Sequence, residues 1–181
     1  MSAEELKIVE NILEGFLNPA KEIRDQAQMK FNELTQNFPA LVFCLSKLVS
    51  ESQNLKNKTF ACVALRKLLE IKGNEIGNQK WQKMEENMKE QIKSNLINAL
   101  VNNTEASLNN KICDTICGVS SCVYESDEKW DQLIQYVISN FSVELTPQNL
   151  TATENSLSIL SQIYFVCNQE LEKHSELFIN G

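Results

Sequence analysis

The cysteines are the side chains of this 181-residue sequence with the most distinctive chemistry, and there are six of them. Cys113 and Cys117 are one helical turn apart, and Cys122 follows shortly after. Two thiolates at that spacing can share a metal ion, but zinc sites use Cys-x-x-Cys pairs, which the sequence lacks. A free cysteine more often packs as a small buried hydrophobe. We therefore predict core or groove packing, and no metal, for these three and for Cys44, Cys62 and Cys167.

A catalytic constellation is not apparent in the sequence. The one histidine, His174, has no nucleophile that the pattern places nearby. The five glycines are dispersed, so they form no Gly-rich phosphate loop. The acidic residues lie on polar helix faces without His-x-x-x-His or Glu-x-x-His spacing. We predict that the chain is not an enzyme and uses no cofactor.

The charge balance bears on the kind of partner. Lys and Arg number 17 against 24 Asp and Glu, which gives a formal net charge of -7. An acidic chain is a poor general binder of nucleic acid and is repelled by anionic membranes. Complementary charge favours a basic protein partner, although the same charge also serves solubility alone. Without a signal-peptide pattern at Met1 to Glu5, or an apolar run near the ~18 residues of a membrane span, we expect the cytosol or nucleus, where cysteines are thiols.

Apolar residues recur at helical spacing along the whole chain, which contains only 5 Gly and 3 Pro. This predicts an all-α fold of about eight helices in pairs, with a ninth cut short between Leu171 and Ile179. The segment Lys72 to Asn78 reads as a glycine-bearing loop. The first, second and last stripes consist of Ile8, Ile12, Leu13, Phe16 and Leu17; of Ile23, Ala27, Phe31, Leu34 and Phe38; and of Leu150, Leu157, Leu160, Ile163, Tyr164 and Val166.

The helix pairs repeat. The centre of the second-helix stripe recurs at Ala27, Ala61, Ile112 and Ser156, at separations of 34, 51 and 44 residues. First helices recur from Ile8 to Leu41, Ile92 and Leu133. Periods near 40 are typical of HEAT-type solenoids, which are α-α superhelices of the HEAT/armadillo kind. We predict repeats at approximately 3–38, 39–72, 82–124 and 129–167, plus the start of a fifth, within the N-terminal segment of a longer solenoid.

Several short segments follow one another in a characteristic order: Ile23 to Ala27, Pro39 to Leu41, Lys58 to Leu69 and Trp81. Their order and spacing resemble the N-terminal domain of importin-β-type nuclear transport receptors, the karyopherins, at approximately residues 22–100, and the likeness covers roughly residues 5 to 141. The segment Lys58 to Leu69 is similar to the Ala-x-x-x-Leu-Arg-Arg-Leu-Leu helix of that domain, with Lys67 in place of the second arginine. The segments Gln91 to Leu96 and Lys111 to Asp114 resemble the importin-5-like branch.

The resemblance implies a receptor that binds the GTP form of the small GTPase Ran on its concave face and takes part in protein import into the nucleus. It also implies basic cargo proteins and FG-nucleoporins as partners of later repeats, and a location in the cytoplasm, the nucleus and the nuclear pore complex. It implies neither direct nucleic-acid binding nor membrane insertion. The alternative is a generic HEAT scaffold for partners unrelated to Ran.

The face of each second helix opposite its apolar stripe should line the concave side, since each residue advances about 100° around a helix. Met29 and Val63 are apolar residues on this otherwise polar face and are a plausible dock for a GTPase switch. They would alternatively pack against neighbouring second helices, and the charged members would form an ordinary solvated face. The candidates are Asp25, Met29, Asn32, Gln36, Thr59, Val63, Arg66, Glu70, Asn110 and Asp114, followed by Cys117 and Ser121.

Overall fold

The computed structural model describes residues 3–69, 75–141, 144–147 and 149–172, and over these residues the chain is entirely helical apart from turns. The helices are α1 (Ala3–Phe16), α2 (Lys21–Leu34), α3 (Phe38–Glu51), α4 (Leu55–Leu69), α5 (Glu75–Gln82), α6 (Glu86–Asn102), α7 (Ala106–Glu125), α8 (Asp131–Phe141) and α9 (Leu150–Glu172), with a 3-10 turn at Thr35–Asn37.

Four pairs stack in sequence: α1 with α2, α3 with α4, α6 with α7, and α8 with α9. From the second pair onward the first members pack in one row, α3 on α6 and α6 on α8, while the second members pack in another, α4 on α7 and α7 on α9. Two parallel rows of this kind are the arrangement of a HEAT-type solenoid. The predicted all-α superhelix is therefore confirmed.

The core follows the repeat register read from the sequence. Ala27, Ala61, Ile112 and Ser156 are all buried, with exposed fractions of 5% or less. The serine is tolerated because its hydroxyl accepts a hydrogen bond of 3.2 Å from the Asn140 side-chain amide. Each pair thus buries its stripe against its neighbours, as a solenoid requires.

The first pair joins the array through α1, which contacts both α3 and α4, whereas α2 packs mainly on α1. The Phe16 ring stacks on Phe60 of α4, with 5.2 Å between centroids, and meets Phe31 of α2 edge-on at 5.7 Å. Gly15 permits the close approach of the two helices, because a Cβ there would lie 2.9 Å from the Cβ of Ala27.

The first two predicted stripes are partly wrong. Ile8, Leu17 and Ile23 are 46%, 47% and 42% exposed, and Ile8 and Ile23 line an open depression of about 220 Å³ between α1 and α2. The buried face of α1 is turned toward Val9 and Leu13, because α1 must fill the space beside α3 and α4 at once.

The second helix is shorter than its pattern predicted. It ends at Leu34, and Phe38 is the first residue of α3. Pro39 lies in the first turn of α3, where its missing N–H costs nothing and its fixed φ suits a helix start. Gln36 therefore lies in the 3-10 turn and not on α2.

The predicted loop from Lys72 to Asn78 is wrong from Glu75 onward, because α5 begins there. Residues 72–74 lie outside the described part of the chain. Helical Gly77 costs about 1 kcal/mol relative to alanine, but the helix carries Trp81, which is completely buried. Burial of a large aromatic side chain stabilises by more than that amount.

The last helix also differs from its pattern. Leu150, Leu157 and Tyr164 are 43%, 52% and 50% exposed, while Ile159 and Ile163 are buried. The reason is that α9 turns one face to α7 and α8 and leaves the opposite row uncovered. Leu171 belongs to α9, so no separate helix begins there. The remainder of that predicted piece, with His174, and the side chains of Val166 and Cys167 lie outside the described residues.

A buried ionic cluster joins the third pair to the turn before the fourth. Lys89 and Lys93 of α6 are 5% and 1% exposed, and both point at the carboxylate of Glu128. Glu128 is placed by a Schellman motif: its N–H donates to the Val123 carbonyl at 3.1 Å, and the N–H of Asp127 donates to Tyr124.

Candidate partner-binding surface

The structure places the inner-face candidates on three helices and one turn. Asp25, Met29 and Asn32 are exposed on α2, and Met29 is 65% exposed. Thr59, Val63 and Arg66 are half-buried on α4. On α7, Asn110 is exposed and Asp114 is half-exposed. Glu70 lies outside the described residues.

Helices α4 and α7 present one continuous surface because polar contacts fix their register. Thr115 donates from Oγ1 to the Cys62 carbonyl at 3.2 Å, and the Cys122 thiol lies 3.5 Å from the carbonyl oxygen of Leu69. Both contacts use small buried side chains that let the two backbones approach. As a result, the exposed edges of α4 and α7 are held side by side.

The clearest contact on this surface is an ion pair between repeats. Arg66 of α4 donates from Nη1 to Oδ2 of Asp114 on α7 at 3.1 Å. The two side chains are 34% and 37% exposed. An ion pair with this exposure stabilises a protein by at most about 1 kcal/mol. Its clearer role is therefore to fix where a guanidinium and a carboxylate stand on the surface.

Met29 and Val63 are not in the same environment. Met29 is mostly in solvent, so the alternative that it packs against a neighbouring second helix is wrong. Val63 is half-buried beside the α4–α7 seam. On α2, the Gln28 side-chain amide donates to Asn32 at 2.8 Å, a contact within one helix.

The two candidate positions nearest the C-terminal end of α7 are less open than Asn110. Cys117 is only 8% exposed, and Ser121 is half-buried and donates to the Cys117 carbonyl at 3.2 Å. The prediction of both as open inner-face positions is therefore wrong for Cys117. Helix α7 is packed between α4 and α9, and of its four candidate positions Asn110 is the most open.

The cysteines are structural in the part of the chain that the structure describes. Cys44, Cys62, Cys113, Cys117 and Cys122 are not in disulfides, and all five are buried. Burial raises the pKa of the Cys44 thiol to about 11, and the charge of Glu5 adds to the effect. Burial likewise raises the pKa values of Cys62, Cys113 and Cys122 to about 12. Such thiols are poor nucleophiles and poor metal ligands.

The described residues contain no cluster of three or more His, Cys, Asp or Glu side chains able to hold a metal ion. None of the described helices combines the length and the apolar character that a membrane span needs.

The sequence reasoning missed a polar joint between α1 and α4. Asn57 is completely buried and donates from Nδ2 to Glu10 at 3.3 Å and Glu14 at 3.2 Å. Ser52 donates to the same Glu10 carboxylate at 2.9 Å. Burial opposes ionisation of Glu10, but hydrogen bonds from Lys7, Ser52 and Asn57 outweigh it and lower its pKa. A polar residue in an otherwise apolar stripe was the available signal.

The stacked pairs and the open row of second helices define this chain as an α-solenoid of the HEAT type. Residues 27–102 match the family model of the importin-beta N-terminal domain. The matched part of the chain runs from α2 to the last residue of α6.

Solved karyopherin structures share the fold. Kap121p bound to RanGTP superposes with a TM-score of 0.75 at 22% identity over 92% of this chain. Kap121p alone gives 0.76 at 21% identity over 93%, and Kap121p bound to Nup53p gives 0.74 at 20% over 93%. The chain spans 15% of the length of each of these proteins. Comparison with curated protein sequences gives no match.

Proposed function

We propose that this chain is part of a nuclear transport receptor that binds Ran in its GTP form and takes part in protein import into the nucleus. The observation that carries the proposal is the importin-β N-terminal domain match over residues 27–102. A supporting observation is the superposition on Kap121p, which one structure records bound to RanGTP. The importin-5-like branch is proposed on the third-repeat segments, Gln91 to Leu96 and Lys111 to Asp114.

The proposed Ran-binding surface is the open edge of the second helices. Its apolar part is Met29, which is free to meet a partner, with the half-buried Val63 as a second contact. An exposed methionine is a flexible apolar group that adapts to a partner surface. Its polar part consists of Asp25, Asn32, Gln36, Thr59, Arg66, Glu70, Asn110 and Asp114.

The wider assignment extends the same proposal to the whole receptor. Basic cargo proteins and FG-nucleoporins are partners of the full-length protein, which moves between the cytoplasm and the nucleus through the nuclear pore complex. The repeats are proposed at approximately 3–38, 39–72, 82–124 and 129–167. The net charge of -7 favours encounter with basic cargo.

The test is a binding titration of the 181-residue chain against Ran loaded with GTP or with GDP. We expect at least a tenfold preference for the GTP form, which is about 1.4 kcal/mol. Met29→Asp combined with Val63→Asp should abolish the complex because a buried unpaired charge is costly. Leu157→Asp, which changes a 52% exposed apolar residue of α9, is the matched control.

The alternative, a HEAT scaffold unrelated to Ran, is separated by the same titration. Identity of 20–22% to the solved karyopherins shows the fold alone, so this alternative rests on the fold without the domain match. A folded chain whose affinity for Ran is the same with GTP and with GDP would favour the scaffold. A complex with GTP-loaded Ran that another GTP-loaded small GTPase does not form would exclude it.

A further inference from the structure

Gly118 occupies an unexpected place, the interior of α7, which runs from Ala106 to Glu125. Glycine in a helix interior is about 1 kcal/mol less favourable than alanine. Its position is half-buried, so solvent exposure does not account for the missing side chain. The nearest neighbouring atom is Cγ of Arg66, which would lie 3.4 Å from a Cβ built at Gly118, so alanine would fit here but a longer side chain would meet the arginine.

Arg66 lies across this gap in the side chains of α7. Its aliphatic stem crosses Gly118, and its Nη1 reaches Asp114 one turn earlier on the same helix. The Nε atom is buried without a hydrogen-bond partner. The side chain is therefore fixed at both its stem and its head, although a third of it remains exposed.

We propose that Gly118 and Asp114 are positioning residues that hold Arg66 as a preformed dock for a carboxylate of the partner on the inner face. The inference rests on the proposed function of that face. Arg66 has five N–H donors, and among the described residues only Nη1 is engaged. A carboxylate matches the planar fork of a guanidinium, and charge-assisted bonds of this kind are strong.

Preorganisation gives the arrangement its advantage. An arginine that is mobile in the free protein loses side-chain entropy when a partner binds, at a cost of about 0.5–1.5 kcal/mol. Here the stem is already immobilised by α7. The glycine leaves this space to the arginine, whereas a side chain longer than that of alanine would compete with Arg66 for the same place.

The experiment measures affinity for GTP-loaded Ran in five variants of the 181-residue chain. Arg66→Ala should weaken binding about tenfold, the scale of an interface hot spot. Gly118→Leu should cause a similar loss because the added side chain displaces the arginine. Gly118→Ala should stay within about twofold, since 3.4 Å is an ordinary van der Waals contact. Asp114→Ala should weaken the affinity by an amount between those of Gly118→Ala and Arg66→Ala. Lys67→Ala removes the same charge from a neighbouring exposed position and should leave the affinity unchanged.

The decisive measurement is the double variant Arg66→Ala with Gly118→Leu. If the glycine acts only by placing the arginine, the leucine adds no further loss once Arg66 is absent. Equal losses from Gly118→Leu in both backgrounds, or full affinity of Arg66→Ala, would overturn the inference while the transport assignment stands. A wild-type chain that forms no GTP-dependent complex with Ran would contradict both the inference and the transport assignment. A cooperative thermal unfolding transition in each variant excludes misfolding as the cause.

Discussion

Lys93 of α6 is completely buried, yet its ammonium group lies 3.8 Å from the carboxylate of Glu128 in the turn after α7. Lys93 also donates to the Lys129 carbonyl at 2.9 Å, and Lys89 reaches the other oxygen of Glu128. Lys93 also pairs with the more exposed Glu90 at 2.8 Å, but Glu128 is the carboxylate that lies against both desolvated ammonium groups. We therefore expect the fold to be sensitive to loss of the Glu128 charge.

Glu128→Gln should therefore destabilise the fold by about 3 kcal/mol, because it leaves two buried lysines without their shared countercharge. Urea unfolding followed by circular dichroism measures the loss. Glu86→Gln is the matched control: Glu86 is 67% exposed and 3.6 Å from Lys89, so its loss should cost at most about 1 kcal/mol. Equal effects of the two variants would contradict the assigned role of the cluster.

Asp127→Gly should stabilise the protein by about 0.5–1 kcal/mol. Asp127 has a φ of 55°, and glycine adopts this left-handed conformation without the steric cost that a Cβ imposes. Asp127→Ala is the comparison, because alanine keeps the Cβ and loses the polar side chain that tolerates this region. Thermal unfolding should rank glycine above aspartate and aspartate above alanine; a stabilising alanine would refute the explanation.

The stability of the joint between α1 and α4 should depend on pH through Glu10. Its pKa is lowered from 4.5 in the folded protein, so the folded state binds fewer protons than the unfolded state around that pH. The stabilisation is therefore present above pH 4.5 and is lost as the pH falls through the folded pKa.

Glu10→Gln should remove the part of the stability loss on acidification that Glu10 causes. The contributions of other groups to the pH dependence of the free energy of unfolding should remain. Urea unfolding of both proteins between pH 3 and pH 7 provides the comparison. Glu4→Gln, an exposed change on the same helix, should leave the profile unaltered. A Glu10→Gln variant that loses stability on acidification as steeply as the wild type would rule out this role for Glu10.

The five described thiols should react with Ellman's reagent at pH 8 only after unfolding. A thiol with a pKa of about 11 or 12 is almost entirely protonated at that pH, and burial also blocks access. The measurement uses Cys167→Ser, because the side chain of Cys167 lies outside the described residues. Fast modification of the native variant would contradict the burial of these groups.

The sequence predicted the repeat well where a helix has neighbours on both sides. Ala61 and Ile112 lie between stacked pairs, and their stripes are buried as the helical spacing indicated. At Ile8, Ile23 and Leu157 the same spacing misled, because an apolar residue is buried only if another element covers it. Whether a residue is covered depends on how the helices pack together, and the spacing of apolar residues within one helix does not contain that information.

The candidate surface was predictable to a similar extent. Helical geometry placed Arg66 and Asp114 on the same open edge, but their contact depends on the register of α4 against α7, which single-helix periodicity does not contain. Gly118 had no signal beyond being a glycine in a helical stretch. The roles of Glu128 and Asn57 depend on partners 39 and 47 residues away in sequence, as their bonds to Lys89 and Glu10 show.

The largest spacing between equivalent positions coincides with a braced part of the molecule. Helix α5 touches α3, α4 and α7, buries Trp81, and places Lys80 over the Phe38 ring at 5.2 Å. Helix α5 therefore braces the second and third pairs against each other. We expect bending of the array to be easier at the first pair, where α2 rests mainly on α1 and carries Met29.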